Sequence, residues 1–377
     1  MEVKQIYSLL NEINTETLGE SVLLKEDLSN IVDLGTAVFN ANAYEKYVGK
    51  IVDKIGKTII VDRVYKGELP SVIMDSWEFG SVVEKIRFGL PTAQENETWE
   101  LRDGESYNQD IFKAPNVEVK FFNMKTTFEV QLSVTDIQLR SAFLSREAMN
   151  KFLSGLYTSV ENALTLSMEN LVKATIRNFM GEAYKNRSAY AGCINVLAMY
   201  NALHSGATLT KAEALYNKEF IRFAGYVIKS TINKIQSYST LYNVGKTQKF
   251  TPKEDLHVVL LAEFKDLADI YLQSDTFHDE FTELPMAEVV NYWQGSGESF
   301  ALADTTKINV TTASGTDVEL DYIIGVLFDR NALGVTNLER RVPTHRNDKA
   351  EFTNLFYKQT AGYFNDLNEN FVLFYLA

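Results

Sequence analysis

Between Ser145 and Gly181 the chain contains no proline, and Met149, Phe152, Leu153, Leu156, Val160, Ala163, Leu164, Leu171 and Ile176 form one apolar stripe at helical spacing. Ser145 is the candidate N-cap. At 1.5 Å per residue such a helix is about 50 Å long, a length that suits a spine on which other elements rest.

The segments around this spine change period repeatedly. Residues 1–55 alternate short amphipathic stretches with polar breaks; Leu9, Leu10 and Ile13 mark the first, and Val38, Phe39, Tyr44, Val48 and Ile51 the second. They predict an arm that packs on something else. Thr58 to Tyr65 is β-branched and runs into Lys66-Gly67-Glu68-Leu69-Pro70, a strand followed by a turn. From Pro70 to Pro115 only short strand-like runs such as Val82 to Phe88 occur among glycines, tryptophans and alternating charge. Extended chain returns at Val117 to Phe122 and Thr127 to Leu132, which alternate at period two. A protruding arm between two strands is the expectation, and a loop that long commonly binds something.

Residues 182–335 read as a mixed α/β lobe, with helices at Ile194 to His204, Lys211 to Gln236 and Leu261 to Leu272 and strands at Leu256 to Leu260 and Ile308 to Val310. The apolar run Tyr322 to Phe328 predicts the central strand of its sheet. Leu338 to Ala377, rich in Phe and Tyr, predicts further strands that finish buried.

A length of 377 residues allows two or three lobes or one elaborated fold. Hydrophobic residues at 45% with charged residues at 23% exclude wholesale disorder and collagen-like repeats. With 37 basic against 50 acidic residues the net charge is −13, which repels phosphate and argues against a dedicated nucleic-acid binder. One cysteine, Cys193, rules out an intramolecular disulfide framework. No apolar run approaches the roughly 20 residues of a membrane span. Met1 to Gln5 lacks a signal peptide's basic start and apolar segment, so a cytoplasmic origin is expected.

Chemistry-bearing motifs are weak. Gly56-Lys57-Thr58 and Gly245-Lys246-Thr247 resemble the end of a phosphate-binding loop, but Ile51 and Thr240 stand where the motif needs glycine. Cys193 and His204 would lie about 16 Å apart on one helix, far beyond the roughly 3 Å that proton transfer needs. No Gly-x-Ser-x-Gly elbow occurs, and Gly295-Ser296-Gly297 reads as a turn. His278-Asp279-Glu280 with Glu283 is the densest potential metal patch, but it lacks a histidine pair at i, i+4 and reads as a solvated acidic loop. No catalytic, cofactor-binding or metal-binding residue is assigned. Arg340, Arg341, Arg346 and Lys349 could touch nucleic acid, but they are diluted by Glu339 and Asp348, and ion pairing at a subunit contact is at least as good a reading. The projection's Trp77, Arg87, Phe88 and Trp99 are of the types that dominate interface energetics. Together with Arg340 and Arg341 they are the expected subunit-interface residues. If the partner is another copy, repetition of a heterologous contact closes rings and larger assemblies.

In this order the elements resemble the major capsid proteins of tailed bacteriophages, most closely those of small podovirus-like phages. Four stretches carry the resemblance: Ile51 to Gly56 leading into Thr58 to Tyr65; Asn116 to Leu132 after the projection; Asp136 to Gly181 as the spine; and Tyr322 to Leu333 leading into the aromatic C-terminal strands. The resemblance implies an α+β fold of the Hong Kong 97 type, also called the Johnson fold. Its parts would be an N-arm (1–50), a peripheral-domain strand (51–63), an extended loop (64–116), a peripheral domain with spine helix (117–181), an axial domain (182–335) and C-terminal peripheral strands (336–377). It further implies pentamers and hexamers in an icosahedral or prolate head shell, built in the host bacterial cytoplasm as a precursor and then expanded. The shell encloses double-stranded DNA without sequence-specific binding. Residues 1–50 are short for a built-in scaffold, so a separate scaffolding protein and a portal are expected partners. Lys66 lies near the projection's start, but nothing around it identifies a cross-linking acceptor. The alternatives are an encapsulin-like nanocompartment shell and, from another class, a cytosolic enzyme with a site near His278.

Overall fold

A computed structural model of the chain describes residues 3–18, 24, 25, 29–40, 47, 50, 69–74, 82–91, 93, 95, 100–107, 110, 112–206, 208–273, 287–294 and 306–377. The strand expected at Thr58 to Tyr65, the triplet Gly56-Lys57-Thr58, Trp77, Trp99, the His278 patch and Gly295-Ser296-Gly297 lie outside the described residues. The chain forms two compact units: residues 1–76, 125–175 and 335–363 make the first, and residues 77–124, 176–334 and 364–377 the second.

In the first unit the period-two stretch after the projection is the strand Lys125–Thr135, paired antiparallel with Phe352–Asn365 from Thr135↔Phe352 to Lys125↔Gly362. Phe352–Asn365 also pairs with Leu333–Arg341 and Thr344–Asn347. Helices cover this sheet because its strands alternate, placing Leu355 and Tyr357 on one face. Leu10 and Ile13 of the helix Val3–Leu18, Leu34 and Val38 of the helix Ile31–Asn40, and Met149, Val160 and Leu164 of the spine join them in one core. Buried Asn14 is offset by the Tyr47 hydroxyl, which donates to its Oδ1 at 2.9 Å.

The spine expected from Asp136 to Gly181 is two helices. Thr135 caps Asp136–Ala142 through a capping box with Gln138. Phe143 then turns into the core, and Ser145 Oγ accepts the Ala148 N–H at 3.1 Å to start Arg146–Lys185, which continues past Gly181. Asp136 receives a two-pronged ion pair from Arg346, with Nη1–Oδ1 at 3.1 Å and Nη2–Oδ2 at 2.9 Å. Arg346, expected at a subunit contact, is therefore engaged inside its own unit.

The second unit is organised by a five-stranded sheet in the order Cys193–Asn195, Phe371–Tyr375, Ile323–Asp329, Leu256–Leu261, Glu288–Val290. The apolar run at Tyr322 to Phe328 is indeed its middle strand, buried along its whole length. Phe371–Tyr375 enters between Cys193–Asn195 (parallel) and Ile323–Asp329 (antiparallel). The aromatic C-terminal region thus splits, Phe352–Asn365 lying in one sheet and Phe371–Tyr375 in another. Phe371 stacks on Phe179 at 4.1 Å and faces Phe328, and the buried Trp293 donates from Nε1 to the Ile323 carbonyl at 3.0 Å.

Two helix expectations need correction. Cys193–Asn195 is a strand, and Asn195 Oδ1 accepts the Ala198 N–H to begin Val196–Leu203, so Cys193 and His204 do not share a helix. The helix expected over Lys211 to Gln236 is broken into Lys211–Leu215 and Lys218–Ile235, because the Asn217 side chain accepts the Phe220 N–H as a new N-cap.

Gly325 lets the middle strand approach its neighbour. A Cβ there would lie 2.6 Å from Leu260 Cδ2 and 2.9 Å from the Val259 carbonyl oxygen. Gly325→Val is expected to destabilise the chain by about 1–3 kcal/mol, measured as a lower urea midpoint; an unchanged midpoint would show that the sheet spreads freely at this position.

Candidate functional site

The period-two run at Val82 to Phe88 is half of a two-stranded ribbon. Val83–Phe88 pairs antiparallel with Val117–Phe122, in the register Val83↔Phe122, Lys85↔Lys120, Ile86↔Val119, Arg87↔Glu118 and Phe88↔Val117. Directly opposed residues share a face, so the ribbon has two chemically distinct sides. Val83, Lys85, Arg87, Glu118, Lys120 and Phe122 make one; Glu84, Ile86, Phe88, Val117, Val119 and Phe121 make the other.

The charged side is turned toward the ribbon's own unit. Lys85 Nζ stands 3.3 Å from Asp366 Oδ2 and also donates to the Asn331 carbonyl, and Lys120 Nζ reaches Asp366 Oδ1 at 3.1 Å. Arg87 Nη2 donates to the Asn368 carbonyl at 3.3 Å. Lys249 pairs with Glu369, which lies 3.8 Å from Lys85. Phe122 packs against Phe364, with ring centroids 5.2 Å apart, and the Lys85 ammonium sits 4.7 Å from the Phe364 centroid. A cleft of about 710 Å³ remains here, bounded by Lys85, Lys120, Lys249, Phe250, Asp366 and Glu369 among others. Burial pushes the Lys85 and Lys249 ammonium groups below the usual lysine range. Burial would raise the Asp366 carboxyl, but the Lys85 and Lys120 charges and the Asn368 N–H outweigh it and hold it below its ordinary value.

The other side is open and, apart from Glu84, apolar. Ile86 is 57% exposed, Phe88 69% and Phe121 65%, with Val117 and Val119 beside them. The segment beyond the strands adds exposed Leu90, Leu101 and Phe112. A ribbon that turns its lysines inward and Phe88 and Phe121 outward reverses the usual partition of a lone soluble domain. Contiguous exposed apolar surface of this kind marks a contact with another molecule.

A family model for the Phi29-like phage major capsid protein matches residues 10–375. The chain belongs to that family. The major capsid protein of Bacillus phage B103 is 19% identical over 309 residues, covering 80% of this chain and 63% of that protein. That of Bacillus phage GA-1 is 23% identical over 138 residues, or 36% of this chain and 28% of that one. The chain therefore spans less than two thirds of the length of either curated relative. A chain of the Staphylococcus phage Andhra capsid structure superposes with a TM-score of 0.53 at 11% identity, covering 84% of this chain and 86% of that one. The fold of this Phi29-like family member is accordingly the tailed-phage capsid fold of the Hong Kong 97 type.

Of the expected interface residues, Phe88 lies on the ribbon's open face and Arg87 on the side that meets its own unit. Arg341 is exposed and Arg340 half-buried, both on the strand Leu333–Arg341 of the first unit. Lys85, Lys120 and Asp366 escaped the sequence reading. Lys120 and Asp366 are 246 positions apart, and only the strand register reveals that they meet.

Among the described residues no group of three or more His, Cys, Asp or Glu is placed to hold a metal ion, and no helix is long and apolar enough to cross a membrane. Gly245-Lys246-Thr247 forms a turn: the Gly245 N–H donates to the Leu367 carbonyl and the Thr247 N–H to Asn243 Oδ1. Burial pushes the Cys193 thiol up to about 12. Alkylation by iodoacetamide at pH 8 is expected to be negligible in the native chain and complete after unfolding; rapid native labelling would contradict the burial.

Proposed function

We propose that this chain is the shell-building subunit of a phage head and that the apolar face of the 83–88/117–122 ribbon is covered by a neighbouring copy in the shell. The observation that carries the reading is the ribbon's reversed polarity, with Ile86, Phe88, Val117, Val119 and Phe121 presented to solvent in the single chain. Burying exposed apolar surface of this kind is worth roughly 25 cal/mol per Å² before ordering costs, and many repeats of one contact sum over a shell. Membership in the Phi29-like major capsid family supports the same reading.

In this proposal residues 1–50 act as the N-arm, 64–116 as the extended loop, continued by its paired strand Val117–Phe122, 51–63, 125–181 and 336–363 as peripheral elements, and 182–335 as the axial domain, whose sheet takes in Phe371–Tyr375. Pentamers and hexamers form the shell, with a separate scaffolding protein and a portal as assembly partners. Trp77 and Trp99 extend the projection's contact, and Arg340 and Arg341 serve a further subunit contact. The enclosed cargo is double-stranded DNA, held without sequence-specific binding, in keeping with a net charge of −13. The subunit plays a structural role in the virion capsid and assembles in the host cytoplasm.

Ile86→Glu and Phe88→Glu test the reading. Both side chains are exposed, so each variant should match the parent's thermal stability within about 0.5 kcal/mol. When the chain is expressed with its scaffolding protein, sedimentation velocity and electron microscopy should find uniform shells for the parent and at least a tenfold loss of them for either variant. Parent-like shell yields from both variants would overturn the interface assignment.

A further inference from the structure

The register places Lys85 directly opposite Lys120 on one face of the ribbon. Opposed residues of an antiparallel pair have Cβ atoms about 5 Å apart, and like charges there push the strands apart. An isolated two-stranded ribbon is marginal even without that repulsion. Between the two ammonium groups lies one carboxylate, and it is shared evenly: Oδ2 faces Lys85 and Oδ1 faces Lys120. Asp366 is only 4% exposed, and its backbone N–H is fixed on the Ala332 carbonyl at 2.7 Å.

We infer that Asp366 is the keystone of the ribbon: it cancels the Lys85–Lys120 repulsion and ties both strands to the sheet-bearing lobe, thereby fixing the pose in which the apolar face is presented. Asp366 is a positioning residue, acting on the contact face only through the two lysines behind it. The role falls to this side chain because its two oxygens bridge both opposed lysines. Glu369 holds Lys249 and stands farther from Lys85, at 3.8 Å. Asp329, at the end of the middle strand, accepts from the Thr251 hydroxyl at 2.7 Å and the Asn331 N–H at 2.8 Å. Glu118 stands opposite Arg87, two residues further out on the ribbon. The keystone itself is independent of assembly, while its consequence for the shell rests on the function proposed above.

The test is hydrogen–deuterium exchange on the unassembled full-length chain at neutral pH, read over 83–88 and 117–122. Asp366→Asn keeps the shape and removes the charge. It should raise exchange in both strands at least tenfold while leaving the middle strand Ile323–Asp329 protected. Lys120→Met removes one of the opposed charges at a position that is 40% exposed. In the double variant it should recover most of the lost protection, a rescue that mere loss of a contact would not produce. If Asp366→Asn accumulates only as unfolded chain, recovery of folded protein from the double variant is the same rescue and supports the inference. Unchanged ribbon exchange in Asp366→Asn, or a double variant as frayed or as unfolded as the single one, overturns it. Shell formation is scored separately: a parent chain that never assembles defeats the shell reading and leaves the exchange result intact, whereas parent shells with no exchange effect defeat the keystone alone.

Discussion

Much of the second unit is tied together by the polar turn at 365–371, between the last two strands. The Asp329 N–H donates to the Asn370 carbonyl at 2.9 Å, the Phe371 N–H to the Tyr242 carbonyl at 2.9 Å, and Thr247 Oγ1 to the Asn368 carbonyl at 2.9 Å. Asn370 Nδ2 donates to Thr251 Oγ1 at 3.0 Å. The carboxylates Asp366 and Glu369 take three lysines. Buried polar groups are costly unless paired, so a turn this dense in Asp, Asn and Glu is stable only with these partners in place. Its position follows from the C-terminal strand, because inserting Phe371–Tyr375 beside Ile323–Asp329 delivers the preceding turn to the ribbon's charged side.

The ribbon's chemistry then follows from what each face meets. A charged face can be buried when a preformed set of carboxylates and carbonyls receives it. The alternation of the strands sends Ile86, Phe88, Val119 and Phe121 the other way. For a solitary domain that arrangement would waste apolar area and invite non-specific association. For a subunit of a closed assembly it presents a surface that a neighbouring copy completes, with the pose of that surface governed from behind by ion pairs.

Local pattern carried much of this architecture in the sequence. Alternation at Thr127 to Leu132, the stripe from Met149 to Ile176 and the apolar run to Phe328 each report burial that depends only on near neighbours in the chain, and each became the element expected; Val117 to Phe122, expected with the returning stretch, instead pairs with Val83–Phe88. The break at Asn217 was less legible, since one side-chain cap interrupts an otherwise helical pattern. Phe352–Asn365 and Phe371–Tyr375 are both aromatic strands, and composition does not say which sheet receives which; pairing over long sequence separations decides it. Legibility of the candidate site was similarly divided. Phe88 stood out as an aromatic of an interface-favoured type on a predicted projection, but Lys85, Lys120 and Asp366 look like ordinary surface charges until the register brings them together. Family membership added the assembly context that no single motif in the chain supplies.

The central claim is that the ribbon's apolar face is buried between copies. Val119→Cys places a small thiol on that face with little change in volume, and native Cys193, half-buried and with its thiol pushed up to about 12, is expected to label slowly, so the Val119 parent serves as the control. The decisive measurement is the alkylation rate of this engineered thiol in unassembled subunits and in purified shells. The account predicts fast labelling of the free chain and at least a tenfold slowing in the shell. Equal rates in the two forms would contradict it.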